Sequence, residues 1–415
     1  MTVTYPPLYE IRQRFDDSPE PDVASLVRHE IARHNFADQI ISGQSVAVAV
    51  GSRGIRNLQA IVSATVRSLE ELSLRPFIMP AMGSHGGATP YGQEEILAHL
   101  GITELSVEAP VRSDMETVSI GRLESGAEVL MAKDALEADH LVIINRVKPH
   151  TVFRGPIESG LCKMLTVGCG KHEGAVSMHR HGLGESIAPA AKMLLDRVSV
   201  LFGVAILENA KEETHTIRLA LPHKFIEVDT EFLKIAKSLL PTIPTDDLDI
   251  LIVDEMGKNI SGAGIDPNVI GFWRRQGGPR KPDYRTIVLL DLTPESHGNA
   301  VGIGMVDLTT RRVIDKVDYK STYTNALTSG IWSSAKMPIF LENDRAAIET
   351  ALSKVPELTR VRMARITNTL RLERLWVSEA LLPELRERKD LEISETPLNV
   401  TFDENGRLLP FPHNR

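Results

Sequence analysis

The chain of 415 residues has only two cysteines, Cys162 and Cys169, so no disulfide framework supports it and a reducing compartment, the cytoplasm, is expected. Aromatic residues make up 5%, and no apolar run is long enough to span a bilayer. The opening MTVTYPPLYEIRQRF lacks the basic and apolar regions of a secretory signal. Positive charge is also short: the formal net charge is −8 with a pI near 5.9, which argues against a general affinity for nucleic acid. No solenoid-length repeat and no low-complexity tract interrupts it.

What is present is a soluble globular composition, 42% apolar and 25% charged, in a chain too long for one ordinary core. Short apolar runs alternate with Gly-rich turns and helical patterns. Val46–Val50 precedes a helical stretch from Leu58 to about Leu72; Pro76–Ala81 precedes a helix over Tyr91–Leu100; Leu141–Ile144 follows. Val198–Leu207 and Thr214–Leu221 read as further strands, the second antiparallel. The segment LLPTIPTDDLD suggests a boundary, giving domains 1–243 and 244–415. Beyond it the pattern restarts with DILIVDEMG, a strand over Arg285–Leu292, a helix Asn343–Leu352 capped by Asn343, and a strand over Arg360–Ile366. Leucine, tryptophan and valine at helical spacing predict an amphipathic helix over Leu372–Leu382, broken by Pro383. The fold class expected is α/β: two α/β domains with mostly parallel sheets and an active-site crevice between them.

Chemistry concentrates in PHTVFRGPIESGLCKMLTVGCGKHEGAVSMHRH, from Pro149 to His181, and in the earlier loop MGSHGGATP. His85 lies between Gly83 and Gly86, which permit close approach to a ligand; a loop histidine bonded to backbone would look the same. His150 follows Pro149 on a stiff backbone and can act as acid or base near neutral pH. Lys163 sits among Leu161, Cys162, Met164 and Leu165, where burial would make its amine nucleophilic unless the head reaches water. His179 and His181 can ligate a transition metal through imidazole, while the two cysteines match no zinc spacing and read as buried thiols. In GSRGIRN, Arg53 and Arg56 suit a carboxylate or phosphate, as solvated turn arginines also would. GKNISGAGIDPN offers backbone donors and Lys258 to an anion, without P-loop order or spacing. The basic run WRRQGGPRK reads as a solvated loop.

Taken in order, GSHGGATPYGQEEIL, NRVKPHTVFRGPIESGLCKML, the histidine of SMHRH and GKNISGAGIDPNVIG resemble the nickel-pincer lactate racemase family, in a branch distinct from the lactate racemase itself. The resemblance implies a nickel-pincer nucleotide, pyridinium-derived and tethered covalently to Lys163, with His179 as the nickel ligand and His85 and His150 as the acid–base pair. Ser52, Arg53 and Lys258 are the further cofactor-binding candidates. It also implies cofactor-biosynthesis proteins as partners and a small 2-hydroxy acid as substrate, with no membrane partner; a homo-oligomer is compatible with it. Two histidines, one for each face of a planar keto acid, suit a racemase or epimerase better than a one-handed dehydrogenase. The chain departs from the racemase in the Gly51–Arg56 loop, which lacks its aspartate. The spacer between His150 and Lys163 is also longer, with Glu158-Ser159-Gly160 in place of a glycine-rich basic stretch. A substrate larger or more polar than lactate, such as a sugar acid, is therefore expected. The competing readings are a pincer-dependent net oxidoreductase, a non-catalytic nucleotide- or metal-binding homologue, and a zinc hydrolase needing three protein ligands.

Overall fold

The computed structural model describes residues 5–16, 18, 22–52 and 54–411. It divides into two compact units: Asp16–Leu240, and the described residues of Met1–Phe15 together with Pro241–Arg415. The division falls at 240/241, inside the proline- and aspartate-rich segment. The strand Leu8–Gln13 groups with the later residues because it pairs with Arg374–Ser378 and Leu391–Ile393.

In Asp16–Leu240 a five-stranded sheet runs in the order Arg75–Pro80, Ser45–Val50, His140–Arg146, Val200–Glu208, Thr214–Ala220. The first four strands are parallel and the last is antiparallel. Such strands read as continuous apolar runs because helices cover both faces. Alternate residues accordingly enter different cores: Ala47, Ala49 and Met79 join one, Val46, Val48, Val50 and Ile78 the other. The chain passes from Ser45–Val50 outward to Arg75–Pro80, then returns across to His140–Arg146. That reversal makes a topological switch point, where ligand crevices form beyond the strands' carboxyl ends. The loops after Val50, Pro80 and Arg146 all emerge there. An antiparallel ribbon, Thr117–Arg122 with Glu128–Ala132, packs on the helix Lys171–Arg180.

The other unit holds an eight-stranded sheet. Five strands are parallel, in the order Ile339–Leu341, Leu308–Thr310, Asp283–Leu289, Asp247–Val253, Met363–Ile366. Arg374–Ser378, Leu8–Gln13 and Leu391–Ile393 extend it by antiparallel pairing. The helix expected over Leu372–Leu382 is instead the strand Arg374–Ser378, a tight turn, and a short helix Leu382–Leu385 with Pro383 in its first turn. Leu375, Trp376 and Val377 are buried between two partner strands, and that sandwiching overrides the helical spacing. Asn343 caps Asp344–Leu352 as expected, accepting the Ala346 N–H at 3.0 Å. Among the described residues no helix is long and apolar enough to cross a membrane.

Candidate active site

Beyond Arg146 the chain turns through buried Pro149 to half-buried His150, whose N–H donates to Glu158 Oε2 at 2.9 Å. The Val152 N–H donates to His150 Nδ1 at 3.1 Å, so the neutral ring carries its proton on Nε2. The Phe153 ring lies against it, with centroids 4.4 Å apart. On the same phenyl ring rests the Lys163 ammonium, 5.6 Å from the centroid, a cation–π contact. Phe153 thus bridges the histidine and the lysine.

Lys163 ends the short helix Gly160–Lys163, which passes into Met164–Gly168, where the Cys169 N–H reaches Met164 O at 2.8 Å. This i→i+5 bond is a π-turn, a wider winding common at functional sites. It lies over the strand ends: a Cβ on Gly51 would stand 2.7 Å from Met164 Cε, the movable end of a flexible side chain. Asn145 Nδ2 ties the strand end to the helix start through Gly160 O at 2.7 Å. Below that start lies Asp229, fully buried, accepting the Leu161 and Cys162 N–H groups at 2.9 and 2.8 Å. Burial raises the Asp229 pKa to about 7, against the pull of those N–H groups and the Cys162 thiol.

The helix Lys171–Arg180 follows and carries His179 in its last turn. His179 keeps an exposed edge, yet protein packed around its ring lowers its pKa by desolvation, assisted by the Lys163 ammonium. Both effects favour neutral imidazole with a lone pair to give. The His85 loop docks on the π-turn and on this helix: the Gly83 N–H bonds Gly168 O at 3.3 Å, and Ala175, one turn before His179, packs under Gly83. Buried Gln93 holds the loop from below, its Nε2 donating to Gly83 O at 2.9 Å and His85 O at 3.3 Å. Lys171, also fully buried, donates to Pro80 O at 2.7 Å; desolvation lowers its pKa, partly opposed by Cys169, Asp134 and Asp114.

His150, Lys163 and His179 are therefore neighbours, and the loop of exposed His85 rests on the helix of His179. Ser52 is half-buried beside Gly51, while Arg53 lies outside the described residues. His181 diverges from His179, its Nδ1–H donating to Ser177 O at 2.9 Å, as residues two apart on a helix must. Lys258 belongs to the other unit, where its ammonium donates to Gly262 O at 2.6 Å and Asn325 Oδ1 at 3.0 Å. Cys162 and Cys169 are free and buried. Among the described residues no three His, Cys, Asp or Glu are grouped to hold a metal ion, so the zinc hydrolase arrangement is not formed there.

Residues 10–188, a span that includes all three histidines and Lys163, match the family model of the lactate racemase N-terminal domain. Over that span the chain carries a lactate racemase N-terminal domain. Among solved structures it is similar to the lactate racemase apoprotein from Thermoanaerobacterium thermosaccharolyticum, with 14% identity and a TM-score of 0.54 over 87% of this chain and 98% of that one. At that identity the likeness is one of fold. No curated protein matches.

Sequence reasoning passed over the residues that hold this site together: Phe153, Glu158, Gln93, Lys171 and Asp229. Asp229 left a signal, being a carboxylate on the apolar face formed by Phe225, Val228, Phe232 and Leu233. Glu158 stood out only as a departure from the racemase pattern, and Lys171 left no signal.

Proposed function

We propose that this chain, which carries a lactate racemase N-terminal domain, racemises or epimerises a 2-hydroxy acid, larger or more polar than lactate, with His85 and His150 as the acid–base pair. The observation that carries the reading is the run of contacts from His150 through Phe153 to Lys163, whose ammonium is near enough to His179 to help lower its pKa, at the switch point of a parallel sheet. The donor set suits a tethered nickel-pincer nucleotide: Lys163 offers an amine for attachment, and His179 a neutral imidazole for nickel. His179 would be the protein's imidazole donor to such a metal, and Lys163 the attachment point of the nucleotide. When bound, that group would supply a hydride acceptor and donor, which suits a C–H that is a poor acid.

The chain's own residues manage the proton and the anion. One histidine would take the hydroxyl proton as the substrate becomes a planar keto acid; once the keto acid has turned its other face to the bound group, the second histidine would return a proton to the oxygen. Ser52 and Arg53 are the proposed anion and cofactor contacts, and cofactor-biosynthesis proteins the proposed partners. The test is intact mass and nickel content after co-expression with pincer-biosynthesis enzymes, with Lys163→Ala as control. A lysine-dependent mass increment is expected. Racemisation of an α-deuterated 2-hydroxy acid should then retain the label; washout of deuterium into water would show proton abstraction and sink the hydride reading. A ketone accumulating with an added electron acceptor would move the assignment to net oxidation.

A further inference from the structure

We propose that Glu158, gripped by Lys237 and Arg154, is the positioning residue that sets the orientation of His150; the functional half of this rests on the proposed role of His150 above. Glu158 has no exposed surface. A carboxylate buried there without partners would be strongly disfavoured, as any unpaired buried ion is. The fold supplies four donors instead. Oε2 accepts the His150 N–H at 2.9 Å and Arg154 Nη1 at 3.4 Å, while Oε1 accepts Lys237 Nζ at 2.7 Å and the Gly155 N–H at 3.4 Å. Arg154 Nη1 also donates to His150 O at 2.8 Å. Both peptide groups of His150 are thereby fixed, one by Glu158 and one by Arg154. With the backbone set, the Val152 N–H reaches Nδ1 and Phe153 closes one side of the ring, leaving the neutral tautomer with Nε2–H.

Lys237 gives the clamp its reference frame. It lies on the helix Phe225–Leu239, the same helix whose Asp229 receives the N-terminal N–H groups of the Lys163 helix. Eight residues separate Asp229 and Lys237, about 12 Å along a helix axis. One rigid element therefore locates both the lysine and the histidine, and a loop that would otherwise wander is referred to the same frame as the tether.

The experiment uses the full chain with ¹⁵N-histidine, reading imidazole tautomers by long-range ¹H–¹⁵N NMR, with His150→Gln to assign the resonance. Wild type and Lys237→Arg should show His150 as the Nε2–H tautomer. Lys237→Met and Glu158→Gln should show a mixture of tautomers, and Lys237→Met should do so with unchanged circular dichroism. In loaded enzyme Lys237→Met should lower kcat by up to roughly 100-fold, as a displacement near 1 Å can, with little change in KM. Lys237→Arg should restore it. A His150 tautomer unaltered in folded Lys237→Met overturns the proposal, as does a loss of activity that follows only the loss of folded protein and that Lys237→Arg does not repair. If the tautomer shifts but His150→Ala still turns over, the proposed function fails and the clamp does not.

Discussion

Replacing Asp229 by asparagine tests how the lysine-bearing helix is anchored. Burial raises this carboxyl from its ordinary value near 3.8 to about 7 in the folded chain. Between those values the folded protein keeps a proton that the unfolded chain has released. Stability therefore falls as pH rises, by about 1.4 kcal/mol per pH unit and about 4 kcal/mol over the interval, and is flat above pH 7. The amide introduced by Asp229→Asn would not titrate. Its carbonyl can accept one of the two N–H groups, while its NH₂ faces the other, a loss of about 1–3 kcal/mol. Below about pH 4, where the acid is protonated in both folded and unfolded chains, the wild type has the same shortage of acceptors and the two proteins should be of similar stability; by pH 5 linkage already favours Asp229→Asn by about 1.6 kcal/mol. By pH 8 the balance should have moved toward Asp229→Asn by about 3 kcal/mol more, on the same linkage arithmetic. Tryptophan fluorescence reports the wrong unit, because Trp273, Trp332 and Trp376 all lie in Pro241–Arg415. Urea titrations from pH 5 to 8 should instead be read by pulsed hydrogen exchange in the strand His140–Arg146. Parallel pH profiles for wild type and variant, within about 1 kcal/mol, would refute the claim that Asp229 carries a desolvated charge at neutral pH.

Other changes read neighbouring parts of the same site. Gly160 has φ +88°, and a Cβ there would lie 2.2 Å from Asp229 Oδ1; Gly160→Ala should cost about 3 kcal/mol and lower Tm by roughly 6–12 °C, and a melt unchanged within error would contradict that geometry. Lys171→Met exchanges a desolvated ammonium for an apolar chain of similar length and leaves Pro80 O without its donor, so stability at pH 7 should stay within about 1 kcal/mol of wild type or rise. A loss above about 3 kcal/mol in chemical denaturation would mean that the buried ion is a net stabiliser. For wild type the folded Lys171 sheds its proton before the unfolded one, so its contribution to stability improves as pH rises through the folded value, a slope Lys171→Met should lack. His85→Ala and His150→Ala should each lower turnover by about 100-fold or more while adduct mass and nickel stay at wild-type levels; full turnover in either removes that residue from the proton transfer.

The strands of the Asp16–Leu240 unit were legible because a parallel strand covered on both faces must be apolar throughout, and Val46–Val50 and Leu141–Ile144 are. The candidate side chains stood out because imidazole and amine in Gly-rich loops are conspicuous by type. Leu372–Leu382 misled because Leu375, Trp376 and Val377 are buried on both faces of a central strand, and a short apolar run of that kind carries no period that excludes a helix. The supporting residues were hidden for a different reason. Glu158 and Lys237 are 79 positions apart, and nothing local in either marks it as the other's partner. Asp229 is the exception, since an ionisable group among Phe225, Val228, Phe232 and Leu233 must find donors inside the fold. Had its position on that face been taken as a demand for partners, the start of the Lys163 helix, rich in unpaired N–H groups, would have been the first place to look.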